Sequence, residues 1–146
     1  MSTTGGRGVL EKVAVALDTN DRATFERWCA FFGPRVGVLK VGLEAFVRWG
    51  PPAIEVARRH SRGLFLDLKL HDIPNTVAGA VRSIAHLAPD FLTVHASGGP
   101  AMVAAAAEAL PGTRITAVTF LTSLSEADLH AVGMLGPALD AAVRLA

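Results

Sequence analysis

The chain has 146 residues, about half of them apolar, and its fourteen Lys and Arg against thirteen Asp and Glu leave a net charge of +1. That length suits one domain able to bury a real core. No apolar run approaches the roughly 18 residues of a membrane span, and no basic run marks a nucleic-acid surface, so neither membrane nor nucleic acid is an expected partner.

Residues 1–12 lack the apolar core of a secretory signal and read as a polar lead-in, with a single domain over 13–146. The first short apolar run, VAVALD (13–18), precedes a helix that Asn20 is placed to cap. Phe25, Trp28, Cys29 and Phe32 recur there at i, i+3, i+4 and i+7, before Gly33-Pro34 ends the pattern. The second run is VGVLKV (36–41), and the third is GLFLDLK (63–69). After the third, Pro74 suits a first helical turn, and Val77, Val81 and Ile84 continue its inward face. The fourth run, DFLTVH (90–95), leads to an alanine-rich helix opened by Gly98-Gly99-Pro100 and closed by Pro111-Gly112. The fifth, RITAVTF (114–120), is followed by Ser125 and Asp128 at capping-box spacing.

Strand–helix alternation of this kind predicts an α/β fold with a parallel sheet covered by helices. Two architectures accommodate it. A doubly wound five-strand sheet would be complete at this length, whereas a (β/α)₈ TIM barrel needs eight units and about 250 residues. In both, the chemistry gathers at the C-terminal ends of the strands.

The charged residues follow that rule. Asp18 closes the first run, Lys40 lies near the end of the second, and Asp67 and Lys69 close the third. Alternation along a strand projects Asp67 and Lys69 to one face and Leu66, Leu68 and Leu70 to the other. Asp72 stands three residues further on, in the loop before the Pro74 helix. Pairing of this kind keeps partly buried charges ionised. A purely structural ion-pair network is the competing explanation, but buried pairs stabilise weakly, and four charges in one crevice exceed what stability asks for.

Other polar residues carry less. Cys29 is the only cysteine, which excludes an internal disulfide, fits a reducing cytosol and reads as a small buried hydrophobe. His95 ends its strand in phase with Thr93 and reads as a hydrogen-bonded structural residue, His71 as a loop histidine, and Gly98-Gly99 as turn glycines. His60, His86 and His130 lack metal-ligand pairing, so no metal site is expected.

The segments VALD (15–18), LKVGLEAF (39–46), FLDLKLHDIPNTV (65–77), TVHASGG (93–99) and VTFLTS (118–123) together resemble the orotidine 5′-phosphate decarboxylase family. Related phosphosugar decarboxylases and synthases share the Asp-x-Lys-x-x-Asp part but not the Ile-Pro-Asn-Thr continuation. The resemblance implies a TIM barrel, of which this chain would supply about the first five βα units. The phosphate-gripping loop and its arginine would belong to three further units. It also implies a cytoplasmic homodimer with shared active sites, which decarboxylates orotidine 5′-phosphate without metal or organic cofactor. Asp18 and Lys40 would meet the ribose hydroxyls, Asp67 the substrate carboxylate, and Lys69 the developing carbanion. Asp72, Ile73 and Thr76 would belong to the shared site, and Thr122 and Ser123 to the pyrimidine contact. Another phosphosugar enzyme of the superfamily, or a non-catalytic assembly fragment, is the alternative.

Overall fold

A computed structural model describes residues 10–146, and each of the five apolar runs supplies a strand: β1 (Ala14–Ala16), β2 (Val38–Gly42), β3 (Gly63–Leu70), β4 (Phe91–His95) and β5 (Arg114–Val118). The lead-in expected over 1–12 lies outside the described residues except for 10–12. Between the strands run α1 (Arg22–Phe32), α2 (Leu43–Trp49), α3 (Pro51–His60), α4 (Pro74–Ser83) and α5 (Gly99–Ala109), with α6 (Glu126–Ala131) and α7 (Ala138–Leu145) after β5.

Helix boundaries follow local chemistry. Asp21, not Asn20, caps α1: its carboxylate accepts from the Thr24 backbone N–H at 3.0 Å and its hydroxyl at 2.6 Å, so the acidic neighbour satisfies the free amides. Pro74 occupies the first turn of α4, and the Ser125–Asp128 pair forms the expected capping box of α6. The second crossover contains two helices, because the chain breaks at Gly50 ahead of Pro51-Pro52.

All four strand pairings are parallel and the order is β1-β2-β3-β4-β5. That order corrects the doubly wound alternative, which needs the strand sequence to reverse direction at a switch point. With the right-handed crossovers that parallel strands almost always adopt, this sequential order instead keeps every covering helix on one side, as in a (β/α)₈ barrel. Leu17, Leu39, Val41, Leu64, Leu66, Leu92 and Val94 accordingly share one buried core with Phe25, Val77, Val81 and Met102 of the helices. Lys40, Phe65, Phe91 and Arg114, matched across β2 to β5, lie on the opposite face.

Cys29 is wholly buried in that core, and burial, with the nearby Glu26 charge, pushes its thiol up to about 11, so it behaves as a small hydrophobe. Leu66 shows how much the core carries. Its side chain is fully buried, and Leu66→Ala is expected to cost about 2–5 kcal/mol of stability, read from urea unfolding.

Candidate active site

Asp67 sits on the face of β3 opposite Leu66, two residues short of Lys69, and its carboxylate collects three donors. The Lys69 ammonium reaches Oδ1 at 2.7 Å, the Lys40 ammonium reaches Oδ2 at 3.0 Å, and the Thr93 hydroxyl donates to Oδ1 at 2.9 Å. Lys40 also lies 3.7 Å from an Asp18 carboxylate oxygen. The structure thus brings Asp18, Lys40, Asp67 and Lys69 into one alternating array at the C-terminal end of the sheet.

Exposure grades across the array. Asp67 keeps 12% of its side-chain surface, Lys40 21%, Lys69 34% and Asp18 63%, so the central carboxylate is the desolvated one. Gly42 makes room at the rim: a Cβ there would stand 3.0 Å from Asp18 Oδ1. Burial raises the Asp67 pKa, but hydrogen bonds from Lys69, Lys40 and Thr93, and the Lys40 charge, outweigh it and hold the carboxyl below its usual range. Because the folded value is depressed, Asp67 contributes stability that is present above the unfolded carboxylate value of about 3.9 and is lost as pH falls through the folded one. The expected result is an Asp67 carboxyl midpoint below about 3.9 in a ¹³C NMR titration. A midpoint above that value would contradict this ion-pair geometry.

The strand is not regular where it carries the charges. Register shifts between Leu66 and Leu70, which pair with Leu92 and Val94, so Asp67, Leu68 and Lys69 together oppose Thr93 alone. Lys69 itself has φ 49°, in the left-handed region that a lysine occupies at a cost of order 1–3 kcal/mol. Simple alternation predicts that Asp67 and Lys69 share a face, and they do meet, but through this bulge.

The remaining sequence-picked residues lie around this array. Asp72 does not flank Lys69 within the chain: its carboxylate accepts from the Ile73 backbone N–H at 2.7 Å, and among the described residues it forms no ion pair. The reason is directional, since the chain turns outward after β3 and residues 71–76, including Ile73 and Thr76, are exposed. Thr122 and Ser123 occupy an exposed turn beyond the C-terminal end of β5, without a hydrogen bond to the array among the described residues. His95 stacks against His71 with ring centroids 5.4 Å apart. Its pKa is lowered by burial first and then by the charges of His71 and Lys69. Gly99 has φ 83° at the start of α5, so a turn accounts for the glycine there.

Sequence reasoning missed Thr93. The available signal was a polar residue inside an otherwise apolar strand, in phase with His95. At the opposite end of the sheet a second concavity contains Lys12, Arg62, Asp90 and Arg114. Arg62 pairs there with Glu11 at 3.0 Å and the Arg114 guanidinium lies over the Phe91 ring, so these two arginines are already engaged. Among the described residues no cluster of His, Cys, Asp and Glu has the makings of a metal site, and no helix is long and apolar enough to cross a membrane.

Residues 11–146 match the family described as orotidine 5′-phosphate decarboxylase / HUMPS. An orotidine 5′-phosphate decarboxylase of Thermobifida fusca is 63% identical over 135 residues, covering 92% of this chain and 58% of that protein. One of Frankia casuarinae is 49% identical over 152 residues, covering 92% and 56%. The crystal structure of orotidine 5′-phosphate decarboxylase from Lactobacillus acidophilus superposes with a TM-score of 0.81 at 35% identity, over 92% of this chain and 64% of that one. The chain therefore spans rather less than two thirds of the proteins it matches.

Proposed function

This chain belongs to the orotidine 5′-phosphate decarboxylase / HUMPS family, and from that premise we propose that it carries the charged part of a decarboxylase active site. The reaction would convert orotidine 5′-phosphate to uridine 5′-phosphate, without a cofactor, in de novo pyrimidine synthesis. The observation that carries this reading is the Asp18–Lys40–Asp67–Lys69 array at the C-terminal end of the strands.

The chemistry needs what that array provides. Cleavage of the bond between C6 and its carboxylate releases carbon dioxide and leaves an electron pair in the ring plane, where the π system cannot delocalise it. Lys69 supplies a fixed ammonium at that carbon, stabilises the pair as it develops, and then donates the proton that forms the C6–H bond. The neutral amine regains its proton from solvent. Asp67 holds both ammoniums in place before the reaction, so little reorganisation accompanies charge development. Its own charge beside the substrate carboxylate disfavours the ground state. Asp18 and Lys40 take the ribose hydroxyls, and Thr122 and Ser123 the pyrimidine edge.

The exposed loop with Asp72, Ile73 and Thr76 reaches into a second subunit's site in a cytoplasmic homodimer. Support comes from the outward turn after β3 and from the absence of Asp72 from its own array. Residues 13–146 form the first five units of the barrel, and three further units complete it and grip the phosphate.

The direct test is the ultraviolet absorbance change on conversion of orotidine 5′-phosphate by enzyme containing this chain; no turnover rejects the reading. The shared site has its own check. Mixing Lys69→Ala with Asp72→Ala subunits should restore roughly a quarter of wild-type activity, because random exchange makes half the dimers mixed and each mixed dimer rebuilds one site. No recovery despite demonstrated exchange would rule out sharing.

A further inference from the structure

We propose that Thr93 is a positioning residue, whose hydroxyl links the Lys69 backbone to the Asp67 carboxylate and thereby sets the direction in which the Lys69 ammonium leaves the strand. The Lys69 backbone N–H donates to Thr93 Oγ1 at 2.9 Å, and the Thr93 hydroxyl donates to Asp67 Oδ1 at 2.9 Å. The Lys69 ammonium closes the ring by donating to the same Oδ1 at 2.7 Å. Every donor in this ring has a fixed sense. A backbone amide can only donate, so the hydroxyl must accept from Lys69, and its single proton is left for Asp67.

The ring lies at the register shift, where three residues of β3 face Thr93 alone. A regular ladder would satisfy the Lys69 amide with a backbone carbonyl; here a side chain does so, at a residue only 3% exposed. Lys69, with its left-handed backbone, is thus held by its backbone amide on Thr93 and by its side-chain ammonium on Asp67. Threonine fits this demand because its β-branch suits a strand while its hydroxyl reaches across to the neighbour. Valine matches the shape and lacks both hydrogen bonds.

The consequence for turnover rests on the decarboxylase reading, whereas the hydrogen-bonded ring does not. The charged groups around Asp67 are Lys40 from β2 with Asp18 behind it, and Lys69 from β3 itself; His95 of β4, stacked on His71, stands beside Lys69. Substituting Thr93 alone adds and removes none of these charged groups. In ¹³C NMR titrations of this chain, Thr93→Val should raise the Asp67 midpoint by about one pH unit, the effect of losing one hydrogen bond to a charged group. Thr93→Ser should restore the wild-type value. Exchange of the Lys69 amide should accelerate about tenfold in Thr93→Val and stay slow in Thr93→Ser. An unmoved midpoint in Thr93→Val, or a serine variant that behaves like valine, overturns the proposal. Should Thr93→Val fail to fold, the wild-type Lys69 amide decides: slow exchange supports the ring, and exchange at the rate of an exposed amide overturns it.

In enzyme containing this chain, Thr93→Val should lower kcat about tenfold with KM unchanged, and serine should rescue it. An unchanged kcat despite a shifted midpoint overturns the positioning role. A midpoint that shifts as expected, in protein that neither binds nor decarboxylates orotidine 5′-phosphate, supports the ring and rejects the functional reading instead.

Discussion

In enzyme containing this chain, Lys69→Ala is expected to lower the proposed decarboxylation of orotidine 5′-phosphate by at least about a thousandfold while substrate binding falls far less. The ammonium is the one positive group that the proposed reaction uses twice, first beside the developing electron pair and then as proton donor. Removing a single preorganised group that stabilises transition-state charge costs about 10²–10³ in rate, and here the proton source goes with it. The fold should survive, because Lys69 keeps 34% of its side-chain surface and belongs to no apolar contact of the core. Alanine at this position also relieves little of the backbone cost at φ 49°, so circular dichroism and urea unfolding should change modestly. Turnover within about tenfold of wild type, a loss of only about 1.4 kcal/mol, would remove Lys69 from the reaction.

Asp67→Ala should damage both activity and stability. Among the described residues the carboxylate alone touches both ammoniums, at 3.0 Å from Lys40 and 2.7 Å from Lys69. Without it two positive charges face each other across β2 and β3, and the Thr93 hydroxyl loses its acceptor. Removing one partner of a buried pair costs about 3–5 kcal/mol. Partial exposure of the two lysines screens part of that, so a loss of about 2–3 kcal/mol is expected from urea unfolding, with decarboxylation lost. Asp67→Asn provides the control: it keeps the shape and an acceptor for Thr93 but not the charge. It should recover part of the stability and none of the activity. Equal stability in wild type and Asp67→Ala would mean that the array adds nothing to the fold.

How far the amino-acid sequence reached is clearest in β3. The run GLFLDLKL announced a strand through its apolar residues, and its charges announced a site, because a buried Asp and Lys two apart need each other. The five strands, the Pro74 helix start, the Ser125–Asp128 capping box and the inert Cys29 were legible for the same local reasons: periodicity, caps and side-chain volume act within a few residues. Resemblance to a family supplied what periodicity could not, the choice of barrel over doubly wound sheet.

Tertiary structure decided the rest. Strand order is set by which neighbours pair, and no local pattern encodes it; only the sequential β1-to-β5 sheet shows that the helices share one side and the charges the other. The shift in register at Leu66–Leu70 and the left-handed Lys69 depend on β4 lying alongside, because Thr93 supplies the partner that Lys69 loses from the ladder. The helix cap passed from Asn20 to Asp21 for a smaller reason of the same kind, since two adjacent residues with similar propensities are separated only by where the first turn begins. Asp72 lies only three residues beyond Lys69 in sequence, yet residues 71–76 are exposed and its carboxylate accepts from the Ile73 backbone N–H, a path that only the folded chain shows. Residue type and periodicity were enough to mark which residues are charged and which face the core. Only the packing of β2, β3 and β4 determined which charges meet, because an ammonium and a carboxylate 27 residues apart are neighbours solely through the sheet that aligns them.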